Sequence, residues 1–243
     1  MNLKDQRVVV IGGTAGIGFA VADLAIQEGA SVVVASGTKE RVEKAVNRLG
    51  NQANGRVLNV FQEDEVEAFF KAFGEFDHLV YTAGDTLAVA SSLANSGTLR
   101  LNEAKQRFDV RYWGAWLAVK HGQQKIRKDG SIVLTSGLAS RRPMKGWSLV
   151  ASVLGAMESF TKALAIELAP IRVNLVTPGA VRTELWDFIP EQERDTFYRQ
   201  IGAHLPVGRV GEPSDLAEAY IYLMKNRFST GSIVISDGGG ALV

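Results

Sequence analysis

Several kinds of residue are scarce or missing in this chain of 243 residues, and each shortage excludes a class of protein. The chain contains no cysteine, which excludes a disulfide framework, a thiolate nucleophile and a cysteine-type zinc site. Its three histidines, His78, His121 and His204, lie far apart in sequence, so we expect no bound metal. An excess of one charge is also lacking, since 27 basic residues stand against 26 acidic ones. We therefore expect no nucleic-acid partner.

Long apolar runs are missing as well. From the sequence we judge that none reaches membrane-spanning length, and the residues 1–7 do not resemble a signal peptide. These two observations predict a cytoplasmic protein with no membrane partner. Apolar residues are nevertheless plentiful at 46%, which is enough for one large core. Because no linker, repeat or low-complexity stretch interrupts the chain, we predict a single domain over residues 1–243.

A glycine-rich segment at residues 11–18, with the sequence IGGTAGIG, is the most informative feature. A β-branched run precedes it and an apolar helical pattern follows it, which is the order that holds a dinucleotide. Gly12 permits a sharp turn, Gly16 leaves room for a pyrophosphate, and Gly18 lets the helix pack close to the strand. The alternative is that these glycines merely end a strand. The predicted contacts in this segment are Gly12, Thr14, Ala15, Gly16, Ile17 and Gly18.

Strand-like and helix-like segments alternate along the rest of the chain. The predicted strands after the first are 31–35, 56–60, 78–82, 131–135, 172–177 and 231–236. The predicted helices after the first are 39–49, 63–73, 102–126, 147–168 and 215–224, and residues 182–206 form the least regular segment. This alternation predicts an α/β fold, a Rossmann-type doubly wound parallel sheet of about seven strands with helices on both faces.

In such sheets the ligand lies beyond the carboxyl ends of the strands. Segments rich in Gly, Ser and Thr follow the predicted strands there, as a polar crevice requires, although turns at any strand end carry such residues. These segments are 12–18, 36–39, 59–60, 83–85, 136–140 and 178–183.

Several ordered motifs make the chain resemble the short-chain dehydrogenase/reductase family over nearly its whole length. Besides the glycine loop, YTAG at 81–84 stands where the family has Asn-Asn-Ala-Gly, and residues 171–183 are close to its IRVNxVxPGxVxT segment. Residues 206–213 and 230–239 also fit. The resemblance implies an NAD(P)-binding oxidoreductase that acts on a small molecule. It also implies further cofactor contacts from Asn59, Val60, Ala83, Gly84, Pro178, Gly179, Val181 and Thr183.

The catalytic group of the family does not carry over. Its asparagine, serine, tyrosine and lysine positions fall, in this order, on Arg111, Ser136, Val150 and Leu154. A shift in alignment cannot restore the motif, because no tyrosine occurs between Tyr112 and Tyr198. In the family the tyrosine protonates the carbonyl oxygen, while the lysine lowers the tyrosine pKa and binds the nicotinamide ribose. Since valine and leucine donate no proton, we expect ordinary ketone reduction to be slow.

Ser136 and Arg111 are then the candidate catalytic residues. Ser136 is able to polarise a carbonyl group or to cap the turn at a strand end. Arg111 is able to stabilise an oxyanion or to form a structural pair with a nearby acid, and it is a poor proton donor. Three functions stay open: an oxidoreductase with a rearranged site, a non-redox enzyme such as an isomerase or lyase, and a non-catalytic nucleotide-binding protein.

The end of the second predicted strand bears on the choice of cofactor. Ser36 stands where NAD-preferring members usually place an acid, and Lys39 is suited to attract a 2′-phosphate. This pattern favours NADP over NAD, unless the basic residues are only a solvated face.

Two further segments bear on substrate and assembly. Apolar residues at 185, 186, 188, 189 and 197 favour a substrate lid over about 182–206 for an apolar ligand, or else packing on a neighbouring subunit. The two long apolar helices at 102–126 and 147–168 predict a homo-oligomer, a tetramer or a dimer.

Overall fold

The computed structural model describes residues 2–84 and 99–243, and within them seven strands form one parallel sheet. The strand order is β3-β2-β1-β4-β5-β6-β7, which reverses between β1 and β4. This arrangement confirms the predicted doubly wound parallel sheet. The strands are β1 (Arg7–Ile11), β2 (Ser31–Ser36), β3 (Ala53–Val57), β4 (Phe76–Tyr81), β5 (Ile126–Thr135), β6 (Arg172–Pro178) and β7 (Ile233–Ser236).

Helices connect the strands in the order that parallel pairing requires. A π-helical segment, Asp109–Trp113, joins α4 to α5. Short 3₁₀ turns cover Gln123–Lys125, Leu138–Ser140 and Glu184–Trp186. The described helices are α1 (Gly16–Gln27), α2 (Lys39–Leu49), α3 (Glu63–Lys71), α4 (Leu101–Phe108), α5 (Gly114–Gly122), α6 (Ser148–Glu167), α7 (Glu191–His204) and α8 (Pro213–Lys225).

Helices cover both faces of the sheet because the central strands are apolar on both sides. In β1, Val8 and Val10 belong to a core that also takes in α1 and α8. Their neighbours Val9 and Ile11 belong to a second core, against α3, α5 and α6. Side chains alternate between the faces of a strand, so a continuous β-branched run is what a sheet buried on both faces needs.

The prediction of one continuous helix over 102–126 is wrong, because the helix is interrupted and ends earlier. The structure divides it at the π-helical segment and starts β5 at Ile126, which pairs with Phe76 of β4. Residues 128–130, whose Lys-Asp-Gly sequence is typical of a turn, lie inside this irregular strand. Buried contacts of Ile126 with the second core draw it out of the helix.

Two other segments differ from the predicted pattern. The third strand lies three residues earlier than predicted. Within it, Gly55 packs so close to Val42 of α2 that a side chain would not fit. The segment 182–206 contains the 14-residue helix α7. Pro190, followed by Glu191 and Glu193, is a helix-start pattern that could have revealed α7 in the sequence. Of the crevice segment 83–85, Asp85 lies outside the described residues.

Contrary to the sequence-based expectation, α6 is long and apolar enough to span a membrane, by length and composition alone. It is a 20-residue helix with a mean hydropathy of 1.5 in its most apolar window. The same helix packs on the sheet and buries Val153, Met157 and Leu164. Because the core helix of a globular domain passes the same test, this property is weak evidence for a membrane span.

Candidate active site

The carboxyl ends of the strands gather the predicted site residues along one edge of the sheet. Gly12 follows β1, Ser36 ends β2, Ala83 follows β4 and Ser136 follows β5. These strands are hydrogen-bonded neighbours in the order β2-β1-β4-β5, so their ends lie side by side. The reversal of strand order falls between β1 and β4, which is where such sheets open a crevice for a ligand.

The glycine loop forms a cradle without side chains, and it fits a dinucleotide pyrophosphate. Gly12 has a φ of 87°, and a methyl group there would lie 2.5 Å from the main-chain nitrogen of Ala83. Gly16 has a φ of 49° at the start of α1. The side chain of the N-cap residue Ala15 forms no hydrogen bond to the first turn of α1, so the main-chain N–H groups of that turn stay available for an anion. Thr14 and Ile17 belong to the same turn, and Gly18 packs directly on the main chain of Gly12.

The adenosine end of the predicted site is more polar and more open. Ser36 is partly buried, whereas Lys39 is exposed and forms an ion pair of 3.6 Å with Glu43. The side-chain oxygen of Asn59 accepts a hydrogen bond of 3.1 Å from the Phe61 N–H, which leaves its amide N–H₂ group to face a ligand. Val60 is buried beside them and supplies an apolar contact.

The segment after β6 closes the crevice on its other side. Gly179 lies so close to the C-terminal segment that a methyl group on it would lie 2.6 Å from Asp237 Cα. Pro178 ends β6, and the buried Val181 forms a bridge with Gly211.

One carboxylate faces the glycine cradle from this segment. Thr183 caps the 3₁₀ turn that follows it, and the methyl group of Thr183 packs toward Gly16. The carboxylate of Glu184 would lie 3.3 Å from a methyl group on Gly16. Because Glu184 is exposed, its carboxylate is able to rotate toward solvent when an anion binds.

Arg111 lies in the π-helical segment, and its guanidinium reaches Gly84 at the end of β4. A methyl group on Gly84 would lie 2.7 Å from Arg111 Nη2. Burial lowers the pKa of Arg111, while the nearby hydroxyls of Tyr220 and Tyr81 act in the opposite direction. No carboxylate of residues 2–84 or 99–243 pairs with this guanidinium, so the structural ion pair weighed from the sequence is not found within these residues.

The π-helical turn is held by Tyr81, a residue that the sequence analysis did not assign to the site. The buried Tyr81 hydroxyl donates a hydrogen bond to the main-chain oxygen of Val110. Gly114 packs directly against the same hydroxyl. Burial raises the pKa of Tyr81 far above its ordinary value, so it stays a neutral hydrogen-bond donor. Tyr81 therefore fixes the backbone that carries Arg111.

Ser136 is buried, and its hydroxyl donates to the main-chain oxygen of Leu154 over 2.9 Å. This contact ties the end of β5 to α6. The Leu154 side chain packs over Gly137, at 3.1 Å from where a methyl group on Gly137 would be. Val150 lies one turn earlier on α6 and is partly buried. The face of α6 at Val150 and Leu154 is therefore apolar, and the Ser136 hydroxyl already donates its hydrogen bond to the main chain.

Glu158 and the aromatic cluster after β6 are two further features of the site. The Glu158 carboxylate accepts hydrogen bonds from Ser140 Oγ at 2.7 Å and from Arg141 Nε at 2.9 Å, which fastens the loop after β5 to α6. Sequence spacing did not indicate the Glu158 contacts, because they join segments that only the fold brings together.

In the aromatic cluster after β6, the ring of Trp186 lies 5.0 Å from that of Phe197 and 6.1 Å from that of Phe188.

Comparison with known proteins places this architecture in a family. Residues 12–240 match the family described as Enoyl-(Acyl carrier protein) reductase. The chain is 36% identical to "Short-chain dehydrogenase/reductase ATR9" of Stachybotrys chlorohalonatus, over 99% of each chain. It is 38% identical to a solved small-chain dehydrogenase in complex with NADPH, over 99% of this chain and 100% of that one, with a TM-score of 0.83. The MalC Reductase/Diels-Alderase from Malbranchea aurantiaca superposes with a TM-score of 0.89 at 28% identity, over 98% and 96% of the two chains.

The chain belongs to the short-chain dehydrogenase/reductase family. This is an oxidoreductase family that acts on small molecules with NAD(P), as the resemblance in sequence implied. The relatives favour the oxidoreductase over the isomerase, the lyase and the non-catalytic protein. Arg111, Val150 and Leu154 are the residues that the sequence interpretation places at the family's asparagine, tyrosine and lysine positions.

Proposed function

We propose that this protein is an NADPH-dependent reductase of a small, largely apolar carbonyl compound, with Arg111 in place of the tyrosine as the group that stabilises the developing oxyanion. The observation that carries the proposal is the position of the Arg111 guanidinium at Gly84, partly buried and without a carboxylate partner among the described residues. A preorganised cation in a site of low dielectric stabilises negative charge on oxygen more strongly than one in water.

Each part of the site has one task in this proposal. Bound NADPH supplies the hydride for the carbonyl carbon. The cradle at Gly12, Gly16 and Gly18 holds its pyrophosphate at the start of α1. Arg111 stabilises the negative charge that gathers on the carbonyl oxygen, and water supplies the proton because an arginine stays protonated. Val150 and Leu154 exclude water from the apolar side of the substrate.

NADPH is proposed ahead of NADH on two grounds. No carboxylate stands at Ser36 to repel a 2′-phosphate, and Lys39 is exposed beside it. The solved relative of 38% identity is described as a complex with NADPH.

We further propose that residues 1–243 act as one dinucleotide-binding domain and that residues 182–206 serve as the substrate lid. The proposed location is the cytoplasm. The proposed assembly is a homotetramer or a dimer, supported by Trp113 in the π-helical segment and Trp116 in α5, which are 50% and 36% exposed. Light scattering at micromolar protein would give a monomer mass if this assembly is wrong.

Calorimetric titration tests the cofactor site. Asn tolerates a positive φ, so Gly16→Asn keeps the turn while it fills the cradle. The loss of two hydrogen bonds to a charged phosphate predicts an NADPH affinity about a hundredfold lower. Gly74→Ala, at the opposite edge of the sheet, is the matched control and should bind as the wild type does. No calorimetric binding of any dinucleotide to the wild type at millimolar concentration would overturn the proposal.

Turnover tests the catalytic role of Arg111. The loss of one oxyanion-stabilising group predicts a kcat for NADPH oxidation about 10²–10³-fold lower in Arg111→Gln, with NADPH affinity unchanged. Arg111→Lys should retain part of the rate because it keeps the charge but loses the planar fork. Equal kcat values for the wild type and Arg111→Gln would show that another group stabilises the oxyanion.

A further inference from the structure

The contacts of the Arg111 guanidinium differ from those of two other guanidinium groups that are at least partly shielded from solvent, those of Arg194 and Arg172. Arg194 pairs with the Asp187 carboxylate at 2.6 Å. Arg172 donates to the main-chain oxygens of Leu223 and Asn226 at 2.7 Å each. Arg111 has no such acceptor among residues 2–84 and 99–243, although burial lowers its pKa. A partly desolvated charge is costly unless an anion or an acceptor compensates it.

The described groups around Arg111 do not supply that compensation. Gly84 presents no side chain, and the two nearest titratable groups, Tyr81 and Tyr220, are buried hydroxyls whose pKa values are raised by burial. The Tyr81 hydroxyl donates a hydrogen bond to the main-chain oxygen of Val110, and the Tyr220 hydroxyl forms a hydrogen bond with that of Thr135. Both rings stay neutral at physiological pH. No described group therefore supplies a negative charge that matches Arg111, and a bound anion would supply it.

From this unmatched charge we infer that the substrate is a 2-oxo acid with an apolar side chain, recognised through Arg111; this inference rests on the proposed reductase function. A guanidinium presents parallel N–H donors in one plane, which matches two oxygens on neighbouring carbons better than a single ketone oxygen. In a 2-oxo acid those oxygens are one carboxylate oxygen and the keto oxygen. The same fork then binds the anion and stabilises the charge that develops on the keto oxygen.

The rest of the site fits the apolar part of such a molecule. Val150 and Leu154 replace the two polar residues of the family motif and present an apolar wall on α6. The Ser136 hydroxyl donates its hydrogen bond to the main-chain oxygen of Leu154 and does not compete for the carboxylate as a donor. Arg141, on the loop after β5, pairs with Glu158 through a contact of 2.8 Å. Arg111 is thus a cation of the described site that is left to bind an anion.

The reaction balances as a two-electron reduction. The keto carbon gains a hydride from NADPH, which becomes NADP⁺, and the electron pair of the C=O π bond moves to the oxygen. Water then gives that oxygen a proton and leaves as hydroxide, so the product is the 2-hydroxy acid.

Binding of a matched pair of unreactive ligands tests the inference apart from turnover. The probes are 4-phenylbutanoate and 4-phenylbutanamide, which differ in the charge at one end, titrated calorimetrically with and without NADP⁺. A charge-assisted hydrogen bond contributes about 1.5–3 kcal/mol, so the carboxylate should bind at least about tenfold more tightly to the wild type. Arg111→Gln should bind both probes equally, Arg111→Lys should keep part of the preference, and the exposed control Arg227→Gln should keep all of it.

The kinetic arm compares 4-phenyl-2-oxobutanoate with the neutral ketone 4-phenylbutan-2-one. The wild type should show a kcat/KM at least about tenfold higher for the acid, and Arg111→Gln should lose this ratio. Equal binding of the carboxylate and the amide to the wild type overturns the inference, whatever the reductase assay shows. A carboxylate preference that depends on Arg111, found without NADPH oxidation on any carbonyl compound, upholds the anion site and overturns the reductase function instead.

Discussion

Two arginines at opposite edges of the same sheet show how differently its two ends are built. Arg172 begins β6 at the amino edge, is only 7% exposed, and donates to three main-chain oxygens near the end of α8. These carbonyl groups carry the negative end of the helix dipole, so the two terminal nitrogens of Arg172 are bonded within the fold, while its buried Nε has no partner among the described residues. Arg111, at the carboxyl edge, has no comparable acceptor among the described residues.

The neighbours of the two arginines repeat this contrast. At the amino edge the buried His78 is bonded on both ring nitrogens, to Ser131 at 2.8 Å and to Gln6 at 2.9 Å. Asp77 accepts hydrogen bonds from the Arg7 N–H and from Arg127. The described part of the carboxyl edge instead offers glycines, helix N–H groups that no side chain caps, and the Arg111 guanidinium without a carboxylate partner. The charged groups named at the amino edge are bonded to one another or to the main chain, whereas Arg111 is not bonded in this way to any described group.

The largest change should come from giving the carboxyl edge the proton donor that it lacks. In Val150→Tyr with Leu154→Lys, turnover of the neutral ketone 4-phenylbutan-2-one should rise by about 10²–10⁴-fold, the effect of a positioned general acid. NADPH oxidation at saturating ketone measures it. Val150→Phe with Leu154→Met is the control of similar bulk without a donor and should not gain activity. A wild type that already reduces neutral ketones as fast as the double variant would contradict the expectation that ordinary ketone reduction is slow.

Removing the charge of Arg172 and removing that of Arg111 should have different effects on the free energy of unfolding. Arg172→Gln leaves three buried carbonyl oxygens without a charged donor and should lower the free energy of unfolding by about 3 kcal/mol. Arg111→Gln should change it by less than about 0.5 kcal/mol or raise it, because no internal partner is lost. Urea denaturation measures both, with Arg41→Gln as the exposed control. Equal destabilisation by the Arg172 and Arg111 variants would show that Arg111 serves the fold.

The amino edge should also respond to acid through His78. Burial lowers the pKa of His78 to about 4, so below the ordinary histidine value the unfolded chain takes up a proton that the folded chain does not. Stability should therefore be full above pH 6.5 and fall as the pH falls toward 4, by about 2 kcal/mol between pH 6.5 and 5. Denaturation across this range should show the slope in the wild type and in the control His204→Gln. If His78→Gln keeps the same slope, other groups are responsible.

The smallest effect concerns the adenosine end of the carboxyl edge. Lys39 is exposed, and an exposed ion pair contributes less than about 1 kcal/mol, so Lys39→Gln should weaken NADPH binding only about two- to fivefold. NADH binding should stay unchanged, and Glu43→Gln should strengthen NADPH binding slightly by freeing the lysine. Calorimetry at low and high salt measures both effects. An equal loss for NADPH and NADH would show that Lys39 does not contact the 2′-phosphate.

The parts of the molecule that depend on local sequence could be predicted. The β-branched run ending at Ile11 and the glycines after it define strand, turn and helix by backbone conformation alone, so the cradle and the strand alternation follow from the chain itself. The helix at 39–49 was predicted with its observed bounds, because a strong apolar stripe ends at Gly50.

Features that depend on contacts between distant segments could not be predicted. The π-helical turn rests on the Tyr81 hydroxyl and the Val110 carbonyl, which are 29 residues apart. The partner of Ser136 is the main chain of Leu154, and Glu158 meets a loop 17 to 18 residues away. Sequence analysis named Arg111 as a candidate, but only the fold shows that no described acid neutralises it.

The π-helical turn makes the number of residues in the chain part of the site. An α-helix advances about 100° per residue, so one extra residue in Asp109–Trp113 rotates the face of α4 relative to that of α5 by about that angle. This offset lets α5 bury Ala115 and Leu117 in the core while Arg111 faces Gly84. A deletion of one residue elsewhere in this turn would restore a regular helix and turn the guanidinium away from Gly84, even with Arg111 itself kept. The length of the turn, as well as the type of its residues, therefore determines where the guanidinium lies.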